Sequence, residues 1–341
     1  MKPRYLSCIA VAAALAVGTV GVANAESPAE FYKGKTLKLI FGYGVGGTYG
    51  KYSQTIAQYL APYLGADTVI TESMPGAGGI KATNYVYNVA SKDGLTLFMP
   101  PDTLVISELL RPKAVKYKSA GFTWIGGIIQ SNSVIAVRGD AGIEKLSDLK
   151  TKQIIMASTG KGSQTFLMPQ LANGVYGARF KIVSGYKGSR KSQLAMEQGE
   201  VQGLCVTWLS WKSAHEKWFK DGFAKAVLQV GTQKEADLPN VPNLLDLVSG
   251  EDKQIVSFMA TMGPIGRGIA VPPGVPKDRI AFLRAAFAKA VADPNLAADA
   301  AKRKLRVNYS SGEKIQKIVE GSLKGIPEST VAKARKLIFG K

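Results

Sequence analysis

The segment Phe41-Gly42-Tyr43-Gly44-Val45-Gly46-Gly47-Thr48-Tyr49-Gly50-Lys51-Tyr52-Ser53 follows the apolar run Leu37 to Ile40 and leads into a stretch with helical spacing. Five glycines at a strand-to-helix turn suit the holding of an anion. Glycine permits positive φ and close backbone approach, and the first N–H groups of the following helix have no intrahelical acceptor. Such a turn also commits the chain to alternating strands and helices, because it belongs at the C-terminal end of a parallel strand.

The rest of the chain keeps to that alternation. Tyr52, Ile56 and Leu60 recur every fourth residue in a helix predicted from about Lys51, with Gly65 as its stop. Val69 to Thr71 reads as a strand, Met74 to Gly79 as a second glycine turn, Ile80 to about Val89 as a helix and Leu95 to Met99 as a strand. A second set repeats the pattern: strands at Ser133 to Val137 and Ile154 to Ala157, then the turn Ser158 to Gln164 and a helix from Thr165. Lys181 to Val183, Leu204 to Thr207 and Ala226 to Val230 complete its sheet, with a helix at Ser189 to Gln198. A long helix from Lys277 to Ala292 and three amphipathic segments close the chain. The expectation is an α/β protein of two lobes: 26–129 with 235–341, and 130–234, joined by a two-strand hinge with a ligand cleft between them.

Gly42, Gly44 and Gly47 also satisfy G-x-G-x-x-G, and Glu72 ends the next strand, which is nearly a dinucleotide fingerprint. That alternative makes the chain an oxidoreductase. The N-terminus argues against it. Lys2 and Arg4 precede an apolar stretch from Ile9 to Val22, and Ala23-Asn24-Ala25 supplies a small-x-small cleavage site, so residues 1–25 read as a secretory leader. The mature chain then starts at Glu26 in the periplasm, where dinucleotides are not normally available. A regulatory effector domain of the same fold would need a DNA-binding helix-turn-helix where the leader stands.

The formal net charge of +19 becomes +17 once the leader is removed, but its cations are scattered. The clusters Lys302 to Arg306 and Lys333 to Lys336 fall at helical spacing and read as solvated helix faces, so no nucleic-acid partner is expected. Cys8 leaves with the leader, and Cys205, alone and inside an apolar strand, reads as a small buried hydrophobe. The single histidine, His215, is placed on a surface helix; one His with one Cys supplies neither a metal set nor a catalytic arrangement. No catalysis, metal or cofactor is expected.

The motifs taken together resemble the substrate-binding proteins of tripartite tricarboxylate transporters, the Bug family. Ser73-Met74-Pro75-Gly76-Ala77-Gly78-Gly79 with Lys92-Asp93-Gly94 carries the resemblance, and Thr159 to Ser163, Tyr186-Lys187-Gly188, Met196 to Glu200, Leu238 to Pro242 and Pro272 to Pro276 follow in family order. The resemblance implies a type II periplasmic-binding-protein fold that closes on a small-molecule carboxylate and delivers it to membrane transporter subunits; a monomer is the default expectation. It also implies two pincer loops: Tyr43, Gly46, Gly47, Thr48 and Tyr49 in the first, and Thr159, Gly160, Gly162, Ser163 and Gln164 in the second. Thr103, and at lower rank Gln130 to Asn132, are further pocket positions; Tyr49 and Trp208 are read equally as ligand-stacking rings and as packing, Tyr52 and Trp211 as core. Gly50, Gln54 and Ser73 stand where most members carry Asp, Arg and Asn. Without that Asp beside the helix start, an amino group on the ligand has no partner there, which predicts a di- or aromatic carboxylate lacking one.

Overall fold

The computed structural model describes residues 26–340, so the leader expected at 1–25 lies outside the described residues. The chain runs α1 (Pro28–Tyr32), β1 (Thr36–Phe41), α2 (Thr48–Leu64), β2 (Thr68–Ser73), α3 (Ile80–Asn88), β3 (Thr96–Met99), α4 (Leu104–Leu110) and β4 (Thr123–Ile129). It continues with β5 (Ser133–Arg138), β6 (Ile154–Ser158), α5 (Gln164–Tyr176), β7 (Phe180–Ser184), α6 (Ser189–Glu197), β8 (Gly203–Thr207), α7 (Trp208–Lys220) and β9 (Ala224–Val230). The last part holds α8 (Gly250–Ala260), α9 (Met262–Ile265), β10 (Arg267–Val271), α10 (Lys277–Ala292), α11 (Pro294–Lys302), β11 (Ser310–Ser311), α12 (Gly312–Lys324) and α13 (Glu328–Phe339).

The strands form two sheets, ordered β11-β4-β10-β3-β1-β2 and β7-β6-β8-β5-β9. Each is built on a parallel trio, since β1 pairs with β2 and β3, and β6 with β7 and β8. This is the two-lobed α/β arrangement that the alternating pattern predicts. Helix α2 forms where the fourfold spacing places it. Tyr52, Ile56, Leu60 and Leu64 are buried against Leu37, Leu39 and Val69, and Leu283 and Phe287 of α10 join the same core. Each such side chain contributes about 2 kcal/mol of burial, and Gly65, at φ 66°, ends the helix in the left-handed conformation.

The second core gathers Ile135, Met156, Leu167, Leu171, Cys205 and Leu228. It also receives Ile255, Val256 and Met259 of α8 and Val331, Ala334 and Ile338 of α13, which come late in the chain. Two segments pass between the sheets, 130–132 and the run after Val230. Glu235 ties them together by accepting from the Ser131 hydroxyl at 3.0 Å and the Asn132 N–H at 2.7 Å.

Among the elements beyond what the sequence pattern predicted are α4, β4 and the short β11. The first two matter for the site, because α4 follows the C-terminal end of β3 and β4 pairs with β10. Strand β10 runs antiparallel to β3, so its first residue, Arg267, stands at the edge where β1 to β3 end. Gly266 aims it there. It holds φ 55° and ψ −130°, and a Cβ at this position would lie 1.9 Å from the Ile129 carbonyl oxygen. Gly266→Ala is therefore expected to cost about 3 kcal/mol through strain and overlap, and to lower Tm by several degrees in calorimetry. Gly321→Ala, on a helix face with open space beside it, should be neutral or slightly stabilising; equal melting temperatures for the two variants would refute the assignment.

Candidate functional site

The strand ends of the two sheets face each other, and the loops that leave them meet. The β1–α2 loop approaches the β7–α6 loop through the Gly44 N–H, which donates to the Lys187 carbonyl at 2.8 Å. The hydroxyls of Thr103 and Ser107 donate to the Gly162 carbonyl at 2.7 and 3.2 Å. Thr48 and Ser210 share a hydroxyl hydrogen bond of 2.9 Å, and Ser210 also meets Thr207 at 2.9 Å. The lobes are therefore closed on one another.

An inner cavity of about 30 Å³ lies between them, walled by Tyr43, Gly47, Thr48 and Tyr49 from the first lobe and Thr159, Ser163, Gln164, Thr165, Ser189, Val206 and Ser210 from the second, with Arg267 at its side. An outer cavity of about 250 Å³ shares Tyr43 and Thr159 with it and continues along Pro75, Ala77, Gly78, Tyr186 and Lys187. Two helices begin at the inner wall, α2 at Thr48 and α5 at Gln164. Their N-cap residues, Gly47 and Ser163, make no side-chain hydrogen bond to the helix backbone, and neither first turn carries an acid. Free N–H groups and the positive ends of two helix dipoles thus converge on one small space.

Of the positions expected from sequence, Tyr43, Gly47, Thr48, Tyr49, Thr159, Ser163 and Gln164 line this inner wall. The others lie elsewhere. Gly46 packs against the Arg190 side chain, while Gly160 and Gly162 abut Ala77 and Gly78 as part of the lobe-to-lobe contact, where Thr103 is also spent. Trp208 is buried in the second lobe, its ring 5.0 Å from that of Phe219 and its Nε1–H donated to Asp237 at 3.1 Å; of the two roles weighed for it, the structure shows packing. Trp211 and Tyr52 are core, as expected. Gln130 to Asn132 sit at the crossing, around a separate surface hollow with Glu235.

Arg267 is the residue that sequence reasoning missed. It is 2% exposed and donates through Nη1 to Asp102 Oδ2 at 3.1 Å and through Nη2 to the Thr48 and Thr207 hydroxyls at 3.3 and 3.4 Å. Its guanidinium carbon lies 3.9 Å from the centre of the Tyr49 ring. Burial pushes the Asp102 carboxyl above its ordinary value, and the Arg267 charge pulls against that. Burial likewise raises the Tyr43 and Tyr49 phenols, which stay neutral; the Tyr43 O–H donates to the Gly78 carbonyl and the Tyr49 oxygen accepts from the Asp102 N–H. One signal was present in the sequence: a lone arginine between two glycines at the head of an apolar strand.

His215 is not on a solvated face. It is 8% exposed, its ring stacks 3.6 Å from that of Trp218, and Arg190 Nη1 lies 3.1 Å from its Nε2. The sequence pattern of α7 hides this because the helix breaks its geometry at His215, at φ −144° and ψ 37°, and turns the ring inward. Cys205 is buried in the second core and its thiol is raised by burial, so the pair forms no reactive arrangement. Among the described residues no group of three or more His, Cys, Asp and Glu could hold a metal ion.

Residues 53–333 match the model of the tripartite tricarboxylate transporter family receptor. The chain belongs to that family. A Cupriavidus necator protein described as the UPF0065 protein in the gbd 5' region is 24% identical over 334 residues, 95% of each chain. Among solved structures, the periplasmic binding protein BugD is similar at a TM-score of 0.71 and 19% identity, covering 90% of this chain and 98% of that one. MatC from Rhodopseudomonas palustris with bound malate is similar at a TM-score of 0.68 and 18% identity, covering 89% and 99%. Family members are periplasmic receptors for a transporter, not enzymes. Among the described residues no helix is long and apolar enough to cross a membrane. The dinucleotide alternative falls with this: Glu72 is a half-buried residue beside Lys38, and the Gly44 N–H is spent on the opposite lobe.

The histidine gives a pH prediction. Burial, then the Arg190 and Lys51 charges, push its pKa down to about 4 from 6.5, so between these values the unfolded chain binds a proton that the folded chain does not. Its contribution to stability is intact above pH 6.5 and is lost as the pH falls toward 4, on the order of 2 kcal/mol in all. His215→Phe, which keeps the stacked ring, should flatten the fall measured by urea unfolding across that range. An unchanged fall would show that other groups cause it.

Proposed function

We propose that this chain is a periplasmic receptor that captures a small organic acid between its lobes and delivers it to a tripartite membrane transporter, without chemistry. The observation that carries the reading is the convergence of α2 and α5, both without side-chain caps, on a wall that holds no Asp or Glu. A carboxylate placed there accepts charge-assisted hydrogen bonds from backbone N–H groups and from the hydroxyls of Thr48 and Thr159. Gln164 joins them, since its Oε1 accepts from Ser133 at 2.8 Å and leaves the amide nitrogen as the donor. MatC, with malate bound, shares the fold and supports an organic acid as the ligand class.

An amino group finds no counter-charge on this wall. Position 50 cannot supply one, because a Cβ on Gly50 would stand 2.0 Å from the Val45 carbonyl oxygen. The ligand is thus a dicarboxylate or aromatic acid without an ammonium. The receptor acts after cleavage behind Ala25, as a monomer, with 26–129 and the parts of 235–341 other than α8 and α13 turning against 130–234 about the tied crossings at Glu235, while α8 and α13 travel with the second lobe, on whose core they pack.

A thermal-shift screen of the chain from Glu26 tests this with C3 to C6 dicarboxylates, benzoate, glutamate and NAD. Any ligand that binds only the folded state raises Tm, by about 2.7 kcal/mol of stability at a hundredfold excess over Kd. A shift with one class of acid is expected, and Gly162→Val should abolish it, because a side chain there meets the Ala77 carbonyl and Ile80 across the closed cleft. Glutamate shifting Tm as far as the dicarboxylates would overturn the exclusion of an amino group. A response to NAD alone would overturn the receptor reading.

A further inference from the structure

Arg267 is held too loosely for a cation buried only to support the fold. A guanidinium has five N–H donors, and a buried arginine is normally met by a carboxylate in a two-pronged pair at about 2.7–2.9 Å. Here Asp102 offers one oxygen at 3.1 Å, and three further contacts, to Thr48, Thr207 and the Gly266 carbonyl, are long at 3.3 to 3.4 Å. The Arg267 Nε and the Asp102 Oδ1 are both buried without any hydrogen-bond partner among the described residues. Arg267 nevertheless lines the inner cavity, and it is the one charged side chain on that wall. A buried donor left unmade is costly, and more so when it is charged.

We propose that Arg267 is the anchor that reads the charge of the ligand carboxylate, with Asp102 as its resident counter-ion. This rests on the carboxylate reading above and names the group that enforces it. A carboxylate entering the inner cavity replaces the long contacts to the two threonine hydroxyls with a two-pronged pair, and the helix starts at Thr48 and Gln164 take up its remaining charge. Asp102 keeps the guanidinium neutralised until then, and competes with the ligand for it. Because Thr48 belongs to the first lobe and Thr207 to the second, the anchor sits where both lobes reach it.

The test compares wild type, Asp102→Asn and the double variant Arg267→Met with Asp102→Asn. The double variant is used because removing both charges of a buried pair is often neutral for folding, whereas removing one strands the other. Calorimetry is run with malonate, succinate, glutarate, adipate and benzoate, each beside its amide, after circular dichroism shows the fold intact. Wild type should prefer an acid over its amide by about 30-fold or more. The double variant should lose that preference together with at least about 30-fold in affinity for the acid. Asp102→Asn should bind the acid about tenfold more tightly, by removing the competing charge. A double variant that binds within about threefold of wild type and still prefers the acid would make Arg267 a structural residue and overturn the inference alone. Weaker binding by Asp102→Asn would overturn the counter-ion role. No acid bound by wild type would overturn the receptor reading, and this inference with it.

Discussion

Burying one guanidinium sets terms for everything around it. Taking a charge out of water costs several kcal/mol even after relaxation, and Arg267 is almost wholly removed from solvent at the place where the two sheets turn their strand ends together. Its surroundings answer that cost from both sides. Asp102, Thr48 and Tyr49 come from the first lobe and Thr207 from the second, and Ser210 links the two threonine hydroxyls. Separating the lobes removes Thr207 from the set and lets water in. The same charge that is expensive in the closed form is hydrated in an open one, so the closed form gains a group with a reason to be satisfied by something else.

The remaining closing contacts are of a kind that opens easily. They are backbone and hydroxyl hydrogen bonds at glycine-rich loops and the first turns of helices: Gly44 to Lys187, Thr103 and Ser107 to Gly162, Thr48 to Ser210. Each contributes about 1 kcal/mol net, because open loops bond to water instead. An apolar seam of the same extent would hold far more firmly. Apolar burial is concentrated instead in the two cores, with Ile106 and Leu110 of α4 reaching into the second and Leu209 of α7 into the first.

Much of this was legible in the sequence, and the parts that were not have physical reasons. The parallel trios, the helix starts and both glycine turns follow from apolar runs broken by glycine, a signal local to each segment. Strand β4 was hidden because Gly126 and Gly127 interrupt its pattern. Both are required by long-range packing: a Cβ at Gly126 would meet the Phe287 ring at 2.4 Å, and one at Gly127 the Ile315 Cδ1 at 2.7 Å. Arg267 was missed for a similar reason, since its partners Thr48, Asp102 and Thr207 are spread across the chain and become neighbours only through the sheet order. Trp208 and His215 show the converse. Their sequence surroundings allow exposure, and only the packing of their rings against Phe219 and Trp218 of the same helix decides against it.

The sizes of the two cavities constrain how an acid is read. The inner one holds about the volume of two water molecules, enough for a carboxylate head and not for a carbon chain, and it is lined by hydroxyls, helix starts and Arg267. The outer one is about eight times larger and has Pro75, Ala77 and the Tyr43 and Tyr186 rings along it, with Lys187 at its exposed rim. On the reading proposed here the head is recognised by hydrogen bonds and charge, and the body by shape alone. Charge discrimination and length discrimination are then separable properties of one cleft. Changes along Pro75, Ala77 and Tyr186 would alter which acid fits while leaving intact the demand that it be an acid.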